Sequence, residues 1–189
     1  MKKEKFLNVR NITLIGVLAA GIFVLTKFVS IPIPTPLGKT ALSLGNSLCV
    51  LSAALFGPMV GGLAAGLGNA LVDLSDPAWA QEFYITFINK FLMAFVAGVF
   101  MQKVKVLREE VRVWIAGLCG AVTYTVLYVA KNIILVLLHT VKEAQHDAIV
   151  TVLATKLPVS LANGVLAVIC SALLYLALRK PLRRAHIMK

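Results

Sequence analysis

The chain has 189 residues, 59% of them hydrophobic and 14% charged, with a formal net charge of +11. A soluble domain carries roughly a quarter charged residues, so the composition excludes one and points to an integral membrane protein, a single bundle without a soluble domain. Thirteen of the 19 basic residues cluster in three short stretches between apolar runs; that is a membrane-orientation pattern, and it excludes nucleic acid as a partner.

A first membrane helix is expected over 11–29, after the basic stretch Lys2, Lys3, Lys5 and Arg10. No small-residue cleavage site follows it, so it reads as a retained helix and not a signal peptide. Gly16 and Ala20 form a small-xxx-small pair that can seat another helix closely, either a neighbour in the bundle or a second protein. Lys27 stands near the far end, where its stem can reach the interface. Residues 30–39 cannot be helical, because Pro32, Pro34 and Pro36 fix φ and remove backbone donors. A stiff extended loop is expected there, either a plain turn or a lid over a site.

The second helix is expected over 41–56, with Ser43, Asn46 and Ser47 in its outer half. Gly57-Pro58 makes a tight turn, with proline opening the next helix. That third helix, 58–73, is rich in glycine. In lipid, backbones approach closely only where side chains are small, so Gly61, Gly62, Ala65 and Gly66 mark tight packing. Asn69 and Asp73 follow at i and i+4, on one face. The fourth helix, 83–101, carries Thr86, Asn89 and Lys90 on one face. The fifth, 113–139, carries Tyr124, Tyr128 and Lys131 at i, i+4 and i+7. The sixth, 150–178, repeats that spacing with Lys156, Ser160 and Asn163, and Pro158 either opens or kinks it.

The other two basic clusters are Lys103, Lys105, Arg108 and Arg112, then Arg179, Lys180, Arg183, Arg184 and Lys189. Positive loops stay cytoplasmic. Both termini and the 102–112 loop are therefore inside, and six crossings satisfy the parity. The fold expected is an all-α bundle of six membrane helices. Asn46, Asn69, Asp73, Asn89, Lys90, Lys131, Asn132, Lys156 and Asn163 all fall in the outer or middle part of their helices. One polar cavity then opens outward and closes inward, unlike a channel, which is lined with polar groups to both faces.

An asparagine in a membrane helix can simply bond a neighbouring helix. Lysines are harder to explain, since an unpaired ammonium near the bilayer centre costs roughly 2.5–3.5 kcal/mol. Lys90 or Lys131 can pair with Asp73, yet with Lys156 present positive charge is left over. That surplus suits a ligand with a carboxylate, a phenolate-like oxygen or many acceptors. Tyr124 and Tyr128 supply either a stacking face or plain core.

His139, His146 and His186 lack metal-ligand spacing, and Cys49, Cys119 and Cys170 lie singly in apolar segments as small hydrophobes. No HExxH, GxSxG or Walker A pattern occurs. No metal, no bound cofactor and no catalysis or ATPase is expected. A carrier of this size without an inverted repeat is small for free-standing alternating access, so a partner is expected to move what it captures.

Ile31-Pro-Ile-Pro34, Leu44-Gly-Asn46, Gly57-Pro58, Gly61-Gly62, Gly66-Leu-Gly-Asn-Ala-Leu-Val-Asp-Leu74 and Thr86-Phe-Ile-Asn-Lys90, taken together, resemble the S components of energy-coupling factor (ECF) vitamin transporters. The resemblance spans nearly all six helices and implies a six-helix bundle in the bacterial plasma membrane that captures a vitamin at the outer face. It implies docking on a transmembrane coupling (T) protein seated on two ATP-binding-cassette subunits, which use the ATP. The docking contact would fall on Gly16 and Ala20, where the family commonly has AxxxA, and the gate on Pro32, Pro34 and Pro36. The chain looks most like the hydroxymethylpyrimidine or pyridoxine branch, with pantothenate the runner-up and riboflavin third. The substrate-binding set is then Asn46, Asn69, Asp73, Asn89, Lys90, Tyr124, Tyr128, Lys131 and Asn163. Two other classes stay open on the residues alone: a membrane assembly protein whose polar groups are glue, and a small intramembrane enzyme.

Overall fold

A computed structural model describes residues 8–36, 38–77, 79–104, 106–139 and 144–185. Lys2, Lys3, Lys5, Lys105, His186 and Lys189, named above, lie outside them. The described residues form α1 (Val9–Phe28), a hairpin of β1 (Ser30–Thr35) and β2 (Gly38–Ser43), α2 (Gly45–Phe56), α3 (Pro58–Leu74), a 3-10 turn at Ala80–Glu82, α4 (Phe83–Lys103), α5 (Glu109–His139) and α6 (Gln145–Arg184). The hairpin, the 3-10 turn, the end of α5 and the start of α6 share one end of the bundle. The α2–α3 turn, the α4–α5 connection and the clustered arginines share the other.

α1, α5 and α6, and α4 taken with the 3-10 turn before it, are long and apolar enough to cross a membrane. α2 and α3 are shorter, at 12 and 17 residues. The second helix begins at Gly45, not at Ala41 as the sequence suggested. Residues 38–43 pair instead with the proline strand, with Ile31 opposite Leu42 and Ile33 opposite Thr40. The alternating prolines explain the strand. N–H groups alternate between the two edges of a strand, so Pro32 and Pro34 put their missing donors on the unpaired edge. The residues between them keep their N–H groups toward β2.

At the opposite end Gly57 has φ of 94° and its N–H donates to the Ala53 carbonyl at 2.9 Å. Only glycine takes that conformation cheaply, and Pro58 then opens α3. The small residues of α3 meet three neighbours. A methyl group at Gly61 would collide with the Ala53 backbone of α2, one at Gly66 would stand 2.8 Å from the Phe87 ring of α4, and one at Gly68 2.7 Å from the Ala19 carbonyl oxygen of α1. Gly16 differs, since a methyl group there meets nothing within 4 Å. Gly16 and Ala20 lie on the exposed face of α1, so packing inside the bundle is not their role.

α5 begins at Glu109, earlier than expected, and α6 runs for 40 residues, well past the expected 150–178. At 1.5 Å per residue α6 is about 60 Å long, twice a hydrocarbon core. Pro158 stands inside it. The extra turns hold a charged cluster that anchors both helices. Glu109 accepts from the Tyr175 hydroxyl at 2.5 Å and from Arg179 and Arg183 at 3.1 and 2.8 Å, while Arg179 also reaches Glu110 at 2.7 Å.

Candidate functional site

The polar stripes of α2 to α6 converge under the hairpin on a cavity of about 580 Å³. Small-molecule sites usually measure roughly 300–1,000 Å³. Asn46, Asn69, Asp73, Asn89, Lys90, Tyr124, Tyr128, Lys131 and Asn163 all line it. One helical turn toward the basic end, the same helices carry Val50, Ala65, Met93, Ala121 and Ala167, all buried. The cavity therefore has polar walls and an apolar floor, because each helix switches from polar to apolar residues within one turn.

The walls are cross-linked by side chains of these same residues. The Lys90 ammonium donates to Asn46 Oδ1 and stands 4.0 Å from the centre of the Tyr124 ring. Tyr124 stacks on Tyr128, centroids 5.6 Å apart, and the Tyr128 and Thr40 hydroxyls share a hydrogen bond of 3.0 Å that holds the hairpin to α5. With Lys90 on one side and Tyr128 on the other, Tyr124 has little ring face left. The open aromatic surface belongs to Tyr128, Trp79 and Tyr84 instead, the latter two at the mouth.

Asn163 spends both ends of its amide on the hairpin. Its Oδ1 accepts the Ser43 N–H and its Nδ2 donates to the Ala41 carbonyl, each at 2.7 Å. This clamp gives the backbone of β2 partners that a longer α2 would otherwise supply. Asn69 donates to the Ala65 carbonyl at 2.9 Å and to the Cys49 sulfur at 3.3 Å. Asn89 Oδ1 is buried and finds no donor among the described residues.

Neither Lys90 nor Lys131 forms an ion pair with Asp73. Lys131 pairs with Glu82 of the 3-10 turn, and the Thr86 hydroxyl bonds Asp73. Glu82 escapes a reading of the helices because it stands in the connection between two of them, and only the fold brings it over the cavity. Thr86 shared the face of Asn89 and Lys90 in the sequence. Lys156 and Asn132 fell in the polar tier but outside the candidate set, and the structure joins them, Lys156 Nζ donating to Asn132 Oδ1 at 2.7 Å. Three lysines (Lys90, Lys131, Lys156) and two carboxylates (Asp73, Glu82) thus line the cavity, an excess of one positive charge.

The ECF-type riboflavin transporter S component family matches residues 6–180. The chain belongs to that family. This S component is 26% identical over 189 residues to a UPF0397 protein of Streptococcus pneumoniae (strain Hungary19A-6), covering 96% of each chain. It is 37% identical over 82 residues to a UPF0397 protein of Lactiplantibacillus plantarum, 42% of this chain and 43% of that one. It is 48% identical over 58 residues to an uncharacterized protein of Pyrococcus woesei, 30% of this chain and 38% of that one. In these last two matches it spans less than half of the relative's length. No solved structure matches it. As an S component it is a membrane protein of a transport system, a class that is not enzymatic.

Proposed function

We propose that this S component captures a small water-soluble vitamin or vitamin precursor from outside the cell membrane, with hydroxymethylpyrimidine or pyridoxine the favoured ligand. The observation that carries this reading is the polar cavity with an apolar floor at the hairpin end. Asp73, Lys90 and Lys131 can bond the hydroxyls and ring nitrogens of such a heterocycle, and Tyr128 offers it a ring face. Asn46, Asn69, Tyr124 and Asn163 hold the walls in register around it, and Asn89, whose Oδ1 has no donor among the described residues, is left to bond the ligand. The hairpin with Pro32, Pro34 and Pro36 forms the gate. All six helices cross the membrane with both termini cytoplasmic, α2 and α3 spanning it with the help of the hairpin that continues α2 outward. The exposed Gly16 and Ala20 face docks on the coupling protein, which sits on two ATPase subunits. Those subunits use the ATP, and this chain holds no cofactor of its own.

Riboflavin is the second reading. The family's description favours it, and so do Trp79 and Tyr84 at the mouth, which add ring surface for a larger heterocycle. The deciding measurement is mass spectrometry of small molecules that co-purify with the protein in detergent. A near-stoichiometric pyrimidine or pyridoxine species is expected. Riboflavin or pantothenate would keep capture and change the ligand. An empty protein that also ignores an added vitamin panel would overturn capture and favour an assembly role.

A further inference from the structure

The three cavity lysines are met unequally. Lys131 is neutralised by Glu82. Lys90 has the face of Tyr124 against it in addition to Asn46, and Asp73 is its nearby carboxylate. Lys156 donates only to the neutral Asn132 oxygen and forms no ion pair among the described residues; the carboxylate that acts on it, Glu82, is already paired with Lys131. It is 8% exposed, lines the cavity, and has the like charge of Lys131 as a neighbour. An amide dipole orients an ammonium but does not cancel its charge, and a buried charge without a counter-ion of its own is costly. The surplus positive charge of the cavity is therefore localised on α6.

From this placement we infer that Lys156 is a specificity-determining residue that receives an anionic oxygen of the ligand. The inference rests on the capture reading and narrows its substrate class. The ligand carries a carboxylate or an acidic ring hydroxyl, and the α5–α6 wall holds that group in a charge-assisted hydrogen bond. The rest of the ligand lies toward Asp73 and Lys90 on the α3–α4 wall. Burial makes Lys156 selective: a neutral analogue leaves its charge uncompensated, which penalises the wrong ligand as well as favouring the right one.

The test uses matched probes that differ in the anionic oxygen alone or nearly so, titrated calorimetrically into the whole protein in detergent. Pantothenate is compared with its alcohol, panthenol, and pyridoxine with 3-deoxypyridoxine. Hydroxymethylpyrimidine and riboflavin are titrated alongside. Within a pair that binds, the anionic member is expected to bind about tenfold tighter or better, and Lys156→Gln is expected to erase that preference. The pantothenate pair points to a carboxylate and the pyridoxine pair to a ring hydroxyl. Equal affinity within a pair, or binding of hydroxymethylpyrimidine or riboflavin alone, overturns the inference while capture stands. A preference that survives in Lys156→Gln also overturns it, because another group then holds the anion. Binding by no probe overturns both. If Lys156→Gln does not fold, Lys156→Met, which keeps most of the volume without the charge, is titrated with the same pairs and judged by the same outcomes.

Discussion

The Lys90 ammonium stands 4.0 Å from the centre of the Tyr124 ring while donating to Asn46. This joins α2, α4 and α5 at one point, so Lys90 both positions the wall and presents charge to the cavity. Lys90→Met keeps most of the volume and removes the charge. It leaves Asn46 Oδ1 without its donor, which costs about 1–3 kcal/mol. Ligand affinity is expected to fall about tenfold or more, with the protein still eluting as one species. Unchanged affinity in a titration would remove Lys90 from the site.

Asn163 is expected to act through the hairpin. Asn163→Ala deletes both bonds to β2 and frees the Ala41 and Ser43 backbone groups. Deuterium uptake should rise in residues 38–43 and stay near the original level in α4. Asn163→Asp keeps the acceptor for Ser43 but loses the donor to Ala41, so it should fall between the two. Equal protection of β2 in all three proteins would show that the clamp is dispensable.

Glu82→Gln removes the counter-charge of Lys131 and raises the cavity's excess positive charge. The pair is partly exposed, with side chains 13% and 33% accessible. A pair of that kind contributes on the order of 1 kcal/mol or less, so the melting temperature should move little. Affinity for an anionic probe such as pantothenate should increase, and the increase should shrink with added salt. A weaker anion affinity in calorimetry would mean that Glu82 itself holds the ligand.

Two glycines separate packing from docking. Gly61→Leu drives a side chain into the Ala53 backbone, and overpacking of this kind costs about 1–3 kcal/mol or more. Loss of folded protein on size exclusion is expected. Gly16→Leu points into open space, so the bundle should fold and bind ligand as before. Co-purification with the coupling protein should be lost. A complex that survives Gly16→Leu and Ala20→Leu would place the contact on another helix.

The parts legible in the sequence were those where lipid makes composition informative. Gly61 and Gly66 stand out because close helix contact in a membrane requires small residues, and they meet different neighbours, whereas Gly68, packed on α1, was not among the residues singled out. Asn69, Asp73, Asn89 and Lys90 stand out because a polar group is expensive in an apolar run. The start of α2 was not legible. Ala41, Leu42 and Ser43 would fit a helix turn as well as a strand, and the backbone of that strand is bonded by Asn163, 120 residues after Ser43. The ion pair of Lys131 was hidden for a related reason, since Glu82 sits 49 residues away in a connection whose path the sequence does not reveal. The full reach of α6 was missed because its last turns look like an orientation signal, whereas Arg179 and Arg183 are also tied to Glu109.

The prolines of β1 carry one more consequence. A strand at the rim of a sheet normally offers its free N–H groups to any extended chain nearby. Here Pro32 and Pro34 have none to offer, so the hairpin can hold β2 on one side yet recruits no third strand on the other. In a crowded membrane, where identical mouths face the same solvent layer, this keeps neighbouring copies from stitching together edge to edge. The segment that covers the cavity can stay apolar and extended without becoming adhesive.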